Sequence, residues 1–141
     1  MPKPRDTSLE DEFLLYWNMV YAHKTQALPP IEREVENVIP GRNFRFDFGW
    51  PEGGVLVDIQ GGTWRAGRHT RHDGYSNDRF KSNWAQLEGF FVLEFTTDWF
   101  KGKIIYGGRG KKKTIVERRD PETMIDFVIT CYHIKNPPLT E

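Results

Sequence analysis

The sequence predicts an α+β (α/β) domain with a mixed sheet, in the order α-β-β-β-α-β, followed by a C-terminal hairpin and helix. Three observations carry this reading. Phe13, Leu14, Trp17 and Tyr21 recur at helical spacing. Residues 43–50 and 55–60 alternate with a period of two. Clusters of Pro, Gly and Asn separate the periodic runs.

Met1 to Asp6 reads as a frayed terminus. Thr7 or Ser8 then offers an N-cap, with Glu10 or Asp11 as capping-box partner, for a helix from Leu9 to His23 that Ala27-Leu28-Pro29-Pro30 ends. Glu32 to Ile39 is a first strand and Pro40-Gly41 a turn. In Asn43–Trp50, Phe44, Phe46 and Phe48 share one face, and Arg45, Asp47 and Gly49 the other, as in a half-buried strand. Pro51 to Gly54 is a turn. In the strand Val55–Gln60, Val55, Val57 and Ile59 oppose Leu56, Asp58 and Gln60.

Gly61 to Tyr75 reads as a polar loop. Ser76 or Asn77 caps a second helix that runs to Glu88 and stops at Gly89, with Phe80, Trp84 and Leu87 as its apolar stripe. Phe90 to Thr96 is a strand. Lys103–Tyr106 and Thr114–Arg118 pair around Gly107-Gly108-Arg109-Gly110. Asp120-Pro121-Glu122 starts a last helix, with Pro at its first position and Met124, Phe127, Val128 and Cys131 on its buried face. The chain is read as one domain, with a core at roughly 8–97 and an extension over 98–141.

At 141 residues, 38% of them hydrophobic and 28% charged, the chain can bury one ordinary core. Twenty basic and 20 acidic residues balance, which excludes a bulk basic coat for nucleic acid but not a local basic face. The single Cys131, expected to be a buried apolar residue, excludes an intramolecular disulfide and a cysteine-cluster metal site. The opening MPKPRDTSLEDE lacks an apolar h-region and no stretch reads as a membrane span, so a cytoplasmic location is expected.

The chemistry concentrates in two acids. If Pro51–Gly54 closes a four-residue hairpin loop, Trp50 faces Val55, Asp47 lies opposite Asp58, and Arg45 opposite Gln60. Like charges facing each other destabilise a sheet, and carboxylates sharing a site shift a pKa or recruit a cation. Mg²⁺ suits such a pair, since it keeps several waters and takes one or two carboxylates with phosphate oxygens. The bland alternative is two solvated acids on an open sheet face.

The run FRFDFGWPEGGVLVDIQGG resembles the PD-(D/E)XK nuclease superfamily, and most closely small phage and bacterial Holliday junction resolvase-like endonucleases. There RFDFxWPE, an acid-x-Gln-Gly-Gly-x-Trp, GRHTR and a helix with an acid, a Lys and an Asn occur in this order. Here the later pieces are Gly67-Arg68-His69-Thr70-Arg71 and Asn77-Asp78-Arg79-Phe80-Lys81-Ser82-Asn83, so the likeness spans Leu9 to Thr97. The resemblance implies a restriction-endonuclease-like core and a Mg²⁺-dependent endodeoxyribonuclease, with Mn²⁺ as substitute. It also implies action on branched DNA as a homodimer, in the host cytoplasm if phage-encoded.

By position, the resemblance makes Asp47 the first metal acid, Asp58 the second (where Glu is commoner) and the Ile59 carbonyl a third ligand. Gln60 stands where Lys is usual, and can offer only an amide. Lys81 from the second helix is expected to supply the missing cation; its alternative is a surface lysine paired with Asp78. The family also brings a Glu from the first helix near the metal. Glu10 is expected there, with Glu12 as alternate and capping as the competing role for Glu10.

Phosphate contacts are expected from Arg45 and from Arg65, Arg68, His69, Arg71 and Arg79 in the segment that leaves Asp58. Lys111, Lys112 and Lys113 at a glycine-rich tip are a further candidate arm, against the reading of a solvated charge run. His69 and His72 lack zinc-site spacing. Other functions open on the same fold are a nicking, repair or restriction-type endonuclease, or a DNA-binding module without catalysis, the last because of Gln60.

Overall fold

The computed structural model describes residues 5–61 and 68–139, with the side chains of 68–75 outside the description. Helix α1 (Ser8–Leu15) runs into a π-helical turn (Tyr16–Val20) and then α2 (Ala22–Thr25). The expected first helix is thus one path with a widened turn, across which Thr25 Oγ1 donates to the Trp17 carbonyl at 2.6 Å. Strands β1 (Glu32–Glu36), β2 (Arg45–Trp50), β3 (Val55–Gln60) and β4 (Phe91–Thr96) form a sheet in that order. The first three are antiparallel and β3–β4 is parallel. A parallel pair needs a crossover, which α3 (Arg68–Leu87) supplies. Then come α4 (Thr97–Lys101), the hairpin β5 (Lys103–Gly107) and β6 (Thr114–Arg119) around a 3₁₀ turn, and α5 (Pro121–Lys135). This is a mixed α+β architecture with a four-stranded mixed sheet. No helix among the described residues is long and apolar enough to cross a membrane.

The hairpin register is as expected: Trp50 faces Val55, Gly49 faces Leu56 and Phe48 faces Val57. The division of faces is not. Phe48, Val55, Val57 and Ile59 pack with Phe13, Trp17, Met124, Ile125 and Val128 from the helices on one side. Phe46 instead joins Leu56, Val35 and Ala85 on the other side. Phe46 and Phe48 therefore face opposite ways despite sharing parity. The β1–β2 ladder explains this. It pairs Arg33 with Phe48 and Val35 with Phe46 but skips Glu34, whose φ of 54° is left-handed. Asp47 lies opposite that break. The open sheet face of the bland alternative is also absent, since every residue from Val55 to Ile59 is buried.

Three further expectations change. Residues 68–75 are helical, so the predicted loop up to Tyr75 is wrong over that part, and its start at 62–67 lies outside the described residues. Those turns carry no apolar periodicity, which is why the pattern began only near Phe80. The stripe itself is misassigned: Phe80 is 47% and Leu87 78% exposed, and Trp84 is half-buried, whereas Ser82 and Ala85 face the sheet. The sheet beneath α3 carries acids, so polar and small residues must meet it. On α5, Met124, Ile125 and Val128 are core, but Phe127 is exposed and Cys131 half-buried, its thiol pushed up by burial. The C-terminal extension thus contributes Phe100, Met124, Ile125 and Val128 to the main core.

Candidate active site

The β2–β3 ladder stops at Phe48–Val57, one residue short of the acids. Beyond it, side chains replace backbone pairing. The Asp47 amide donates to Asp58 Oδ1 at 3.0 Å, and the Ile59 amide donates to Asp47 Oδ2 at 2.7 Å. The two carboxylates lie side by side at the end of the hairpin, each tied to the other strand. Asp58 is only 3% exposed. In an extended strand, a residue's N–H and C=O lie on the same edge. The Ile59 carbonyl therefore faces the same gap as its amide.

Lys81 reaches this pair from α3. Its Nζ lies 2.7 Å from Asp58 Oδ2, donates to the Arg45 carbonyl at 2.7 Å, and sits 4.6 Å from the Phe46 ring centroid. The turned-over Phe46 thus forms the floor under the ammonium, which is a favourable place for a cation. Pairing with Asp58, not with Asp78, is what the geometry gives Lys81.

Glu10 stands on α1, which packs on the sheet face opposite α3. No capping box engages it: Thr7 Oγ1 donates to Asp11, and the Ser8 amide and hydroxyl both donate to Asp6 Oδ1. Its charge is felt at Asp47. Glu12 is occupied by the Tyr16 hydroxyl, which donates to it at 2.8 Å, so the alternate first-helix acid is directed elsewhere. Gly61 packs against α1 at Leu9, whose Cδ1 an added Cβ would displace.

Burial pushes the Asp47 carboxyl from 3.8 up to about 6, with Asp58 and Glu10 adding repulsion and the Ile59 hydrogen bond and Lys81 opposing it. Oxygen Oδ1 of Asp47 has no hydrogen-bond partner among the described residues. Among those residues no group of three or more His, Cys, Asp or Glu could hold a metal ion. The donors here are two carboxylates and a carbonyl, the sparse set that Mg²⁺ with retained waters accepts. A raised acid with an open oxygen beside a second carboxylate fits such an ion.

One part of the site was missed. Glu94 is the parallel partner of Asp58 in β4. It accepts from Arg79 Nη2 at 2.6 Å and from Ser82 Oγ at 2.7 Å, both on α3. Asp78 is near all of these: burial raises its carboxyl, Lys81 and Arg79 lower it, and Asp58 and Glu94 raise it. The signal was present, because Glu94 interrupts the apolar run Phe91-Val92-Leu93-Glu94-Phe95 just as Asp58 interrupts its own strand.

Those of the expected phosphate-binding residues that are described do not come together at the acids. Arg79 is turned inward to Glu94. Arg45 is half-buried at the start of β2. Lys111, Lys112 and Lys113 are exposed at the β5–β6 tip, Lys113 lying over Tyr106 at 5.0 Å from the ring centroid. Arg65 and the side chains of Arg68, His69, Arg71 and His72 lie outside the described residues. Gln60 is half-buried, opposite Thr96. In comparisons with known proteins, no family model, curated protein or solved structure matches the chain.

Proposed function

We propose that this chain is a metal-dependent endodeoxyribonuclease that hydrolyses DNA phosphodiester bonds on a restriction-endonuclease-like core. The observation that carries it is the convergence of Asp47, Asp58 and the Ile59 backbone from the hairpin with Lys81 from α3, where the charge of Glu10 on α1 is also felt. Asp47, Asp58 and the Ile59 carbonyl would hold Mg²⁺, or Mn²⁺ in its place. A bound ion of this kind supplies charge neutralisation at a phosphate and a more acidic water.

The protein's own groups set the conditions. Asp47 carries its charge only above about pH 6. Lys81 provides the positive charge that Gln60 lacks, held by the Arg45 carbonyl so that it meets Asp58 from one direction. Gln60 contributes an amide at the strand end, able to orient water or phosphate. Arg45, Arg65, Arg68, His69 and Arg71, with Lys111, Lys112 and Lys113 on the hairpin, would grip the DNA backbone. The particular substrate best suited is a four-way junction cut by a homodimer, whose two-fold axis relates two sites. A nicking, repair or restriction-type endonuclease shares every one of these features, because a fold does not fix a substrate.

One observation favours a second reading, a DNA-binding module without catalysis. The charge of Asp58 is already balanced: Oδ1 accepts from the Asp47 amide, and Oδ2, buried and without a hydrogen-bond partner among the described residues, lies in an ion pair with Lys81 at 2.7 Å. Incubating the protein with a synthetic four-way junction, a linear duplex and single strands, with and without Mg²⁺, separates the readings. Metal-dependent cutting of the junction alone is expected. Equal cutting of junction and duplex removes the junction specificity, and salt-sensitive binding with no cutting in any divalent metal favours the non-catalytic module.

A further inference from the structure

The β5–β6 hairpin stands outside both cores, which take no residue from either strand. Its base is pinned by Arg119, which donates to Asp98 at 2.8 Å and to Glu117 at 2.7 Å. A lone two-stranded hairpin is at best marginally stable, yet this one leaves Ile104, Tyr106 and Ile115 exposed. The register pairs Ile104 with Arg118 and Tyr106 with Ile115, and alternate residues of β5 share a side, so these four lie on one face. Ile105, on the other face, is half-buried, which makes the first face the outward one. Charge gathers on the same element. Lys101 to Arg119 holds eight basic residues and one acid, Glu117, in a chain with 20 of each sign, so the rest carries 12 basic and 19 acidic residues. The hairpin is the positive pole of an otherwise acidic protein. Among the described residues, only Arg119 of those eight has an ion pair. Lys113 Nζ lies over the Tyr106 ring, 5.0 Å from its centroid. An exposed ring among such cations suits a nucleic-acid single strand: phosphates meet the cations while a base, of any kind, stacks on the ring.

We propose that the outward face of this hairpin binds unpaired DNA, with Tyr106 as the stacking platform and Lys111, Lys112, Lys113 and Arg118 as phosphate contacts. The choice of DNA rests on the nuclease reading; the preference for an unpaired strand rests on the hairpin alone. A duplex keeps its bases stacked on one another and offers this ring no base face. A second copy meeting the same face across a two-fold axis sets Lys113 and Arg118 against like charges. The base takes the place of the Lys113 ammonium over the ring, and the ammonium turns to the adjoining phosphate. The hairpin thereby favours DNA whose strands have parted, as at a branch point.

The test is fluorescence-anisotropy titration of the full chain, with EDTA present so that nothing is cut. The probes are a labelled thymidine strand and a blunt duplex, each about 20 nucleotides long, enough to span such a site. Wild type is expected to bind the strand more tightly than the duplex. Tyr106→Val, which keeps a strand-forming side chain but no ring, is expected to weaken strand binding about 5- to 100-fold and duplex binding little, while Tyr106→Phe keeps wild-type affinity. Replacing Lys111, Lys112 and Lys113 together by Gln is expected to flatten the slope of log Kd against log salt by about 2, at about 0.7 per phosphate contact on a single strand. A Tyr106→Val protein that binds the strand like wild type, a wild type that binds strand and duplex equally, or a salt slope unchanged by the lysine replacements overturns the proposal. So does sedimentation showing a dimer that Tyr106→Val abolishes, because a second copy then covers the face. If the strand is bound as expected but no DNA is cut in Mg²⁺, the nuclease reading falls and the binding face stands. If DNA is cut in Mg²⁺ while strand binding is indifferent to Tyr106, the nuclease reading stands and this proposal falls.

Discussion

Asp47 and Asp58 are bound to each other's strands: the amide of Asp47 donates to the carboxylate of Asp58, and the carboxylate of Asp47 accepts the amide that follows Asp58. Two acids thereby replace the last rung of the β2–β3 ladder. The arrangement brings like charges together and leaves Asp47 hard to ionise, which an incoming divalent cation would relieve.

The titration of Asp47 sets a pH dependence of unusual sign. Its folded-state pKa of about 6 lies above the ordinary 3.8, so the native protein holds a proton that the unfolded chain releases. Stability from this group therefore falls as pH rises from roughly 4 to 6, and stays low above that. Asp47→Asn, which can still accept from the Ile59 amide, is expected to be more stable than wild type at pH 8 without metal. Denaturant unfolding at pH 4.5 and pH 8 checks this; a variant equally destabilised at both pH values would contradict it.

Lys81 is the counter-ion of a buried acid. Lys81→Met leaves Asp58 without its cation at a site 3% exposed, and a loss of about 3–5 kcal/mol is expected. Asp58→Asn is milder, since its side-chain oxygen still accepts from the Asp47 amide, but cleavage should disappear in both. Chemical denaturation beside a cleavage assay measures the two effects separately.

If Lys81 stands in for a lysine at position 60, the cation can be moved back. The double variant Lys81→Gln, Gln60→Lys is expected to recover part of the cleavage lost in Lys81→Gln alone. No recovery in the swapped protein, with its fold intact by circular dichroism, would argue that position 60 lies outside the reacting zone.

Gly61 lies against Leu9 of α1. In Gly61→Ala the new methyl meets Leu9 Cδ1, the far end of a flexible side chain, which must leave its place against the core. A loss of about 1–3 kcal/mol is expected, as for overpacking elsewhere. Leu9→Ala in the same protein makes room and should return part of the stability, which thermal unfolding of the pair of variants would show.

Much of the frame was legible because it follows local rules. The turn Pro51–Gly54 fixed the hairpin register, and Asp120 caps α5 by accepting the Thr123 amide at 2.8 Å, as its sequence announces. Asp47, Asp58 and Lys81 were found because polar residues stood inside apolar runs or at motif positions. The errors have separate causes. The break at Glu34, which turns Phe46 away from Phe48, is a backbone event that period-two alternation cannot register. The α3 stripe failed because hydrophobic periodicity assumes an apolar surface beneath the helix, whereas Asp58 and Glu94 lie there and call for Lys81, Arg79 and Ser82. Glu94 itself escaped because its partners, Arg79 and Ser82, lie outside the apolar stripe that the sequence of α3 shows.

The central claim is that the paired carboxylates hold one divalent cation. Calorimetric titration of Mn²⁺ into the protein near pH 6, run in two buffers of different ionisation enthalpy, tests it without DNA. One site is expected, with a proton released from Asp47 on binding, and with both the site and the proton release lost in Asp58→Asn. Absence of Mn²⁺ binding at millimolar concentration, or binding that survives unchanged in Asp58→Asn, would contradict it.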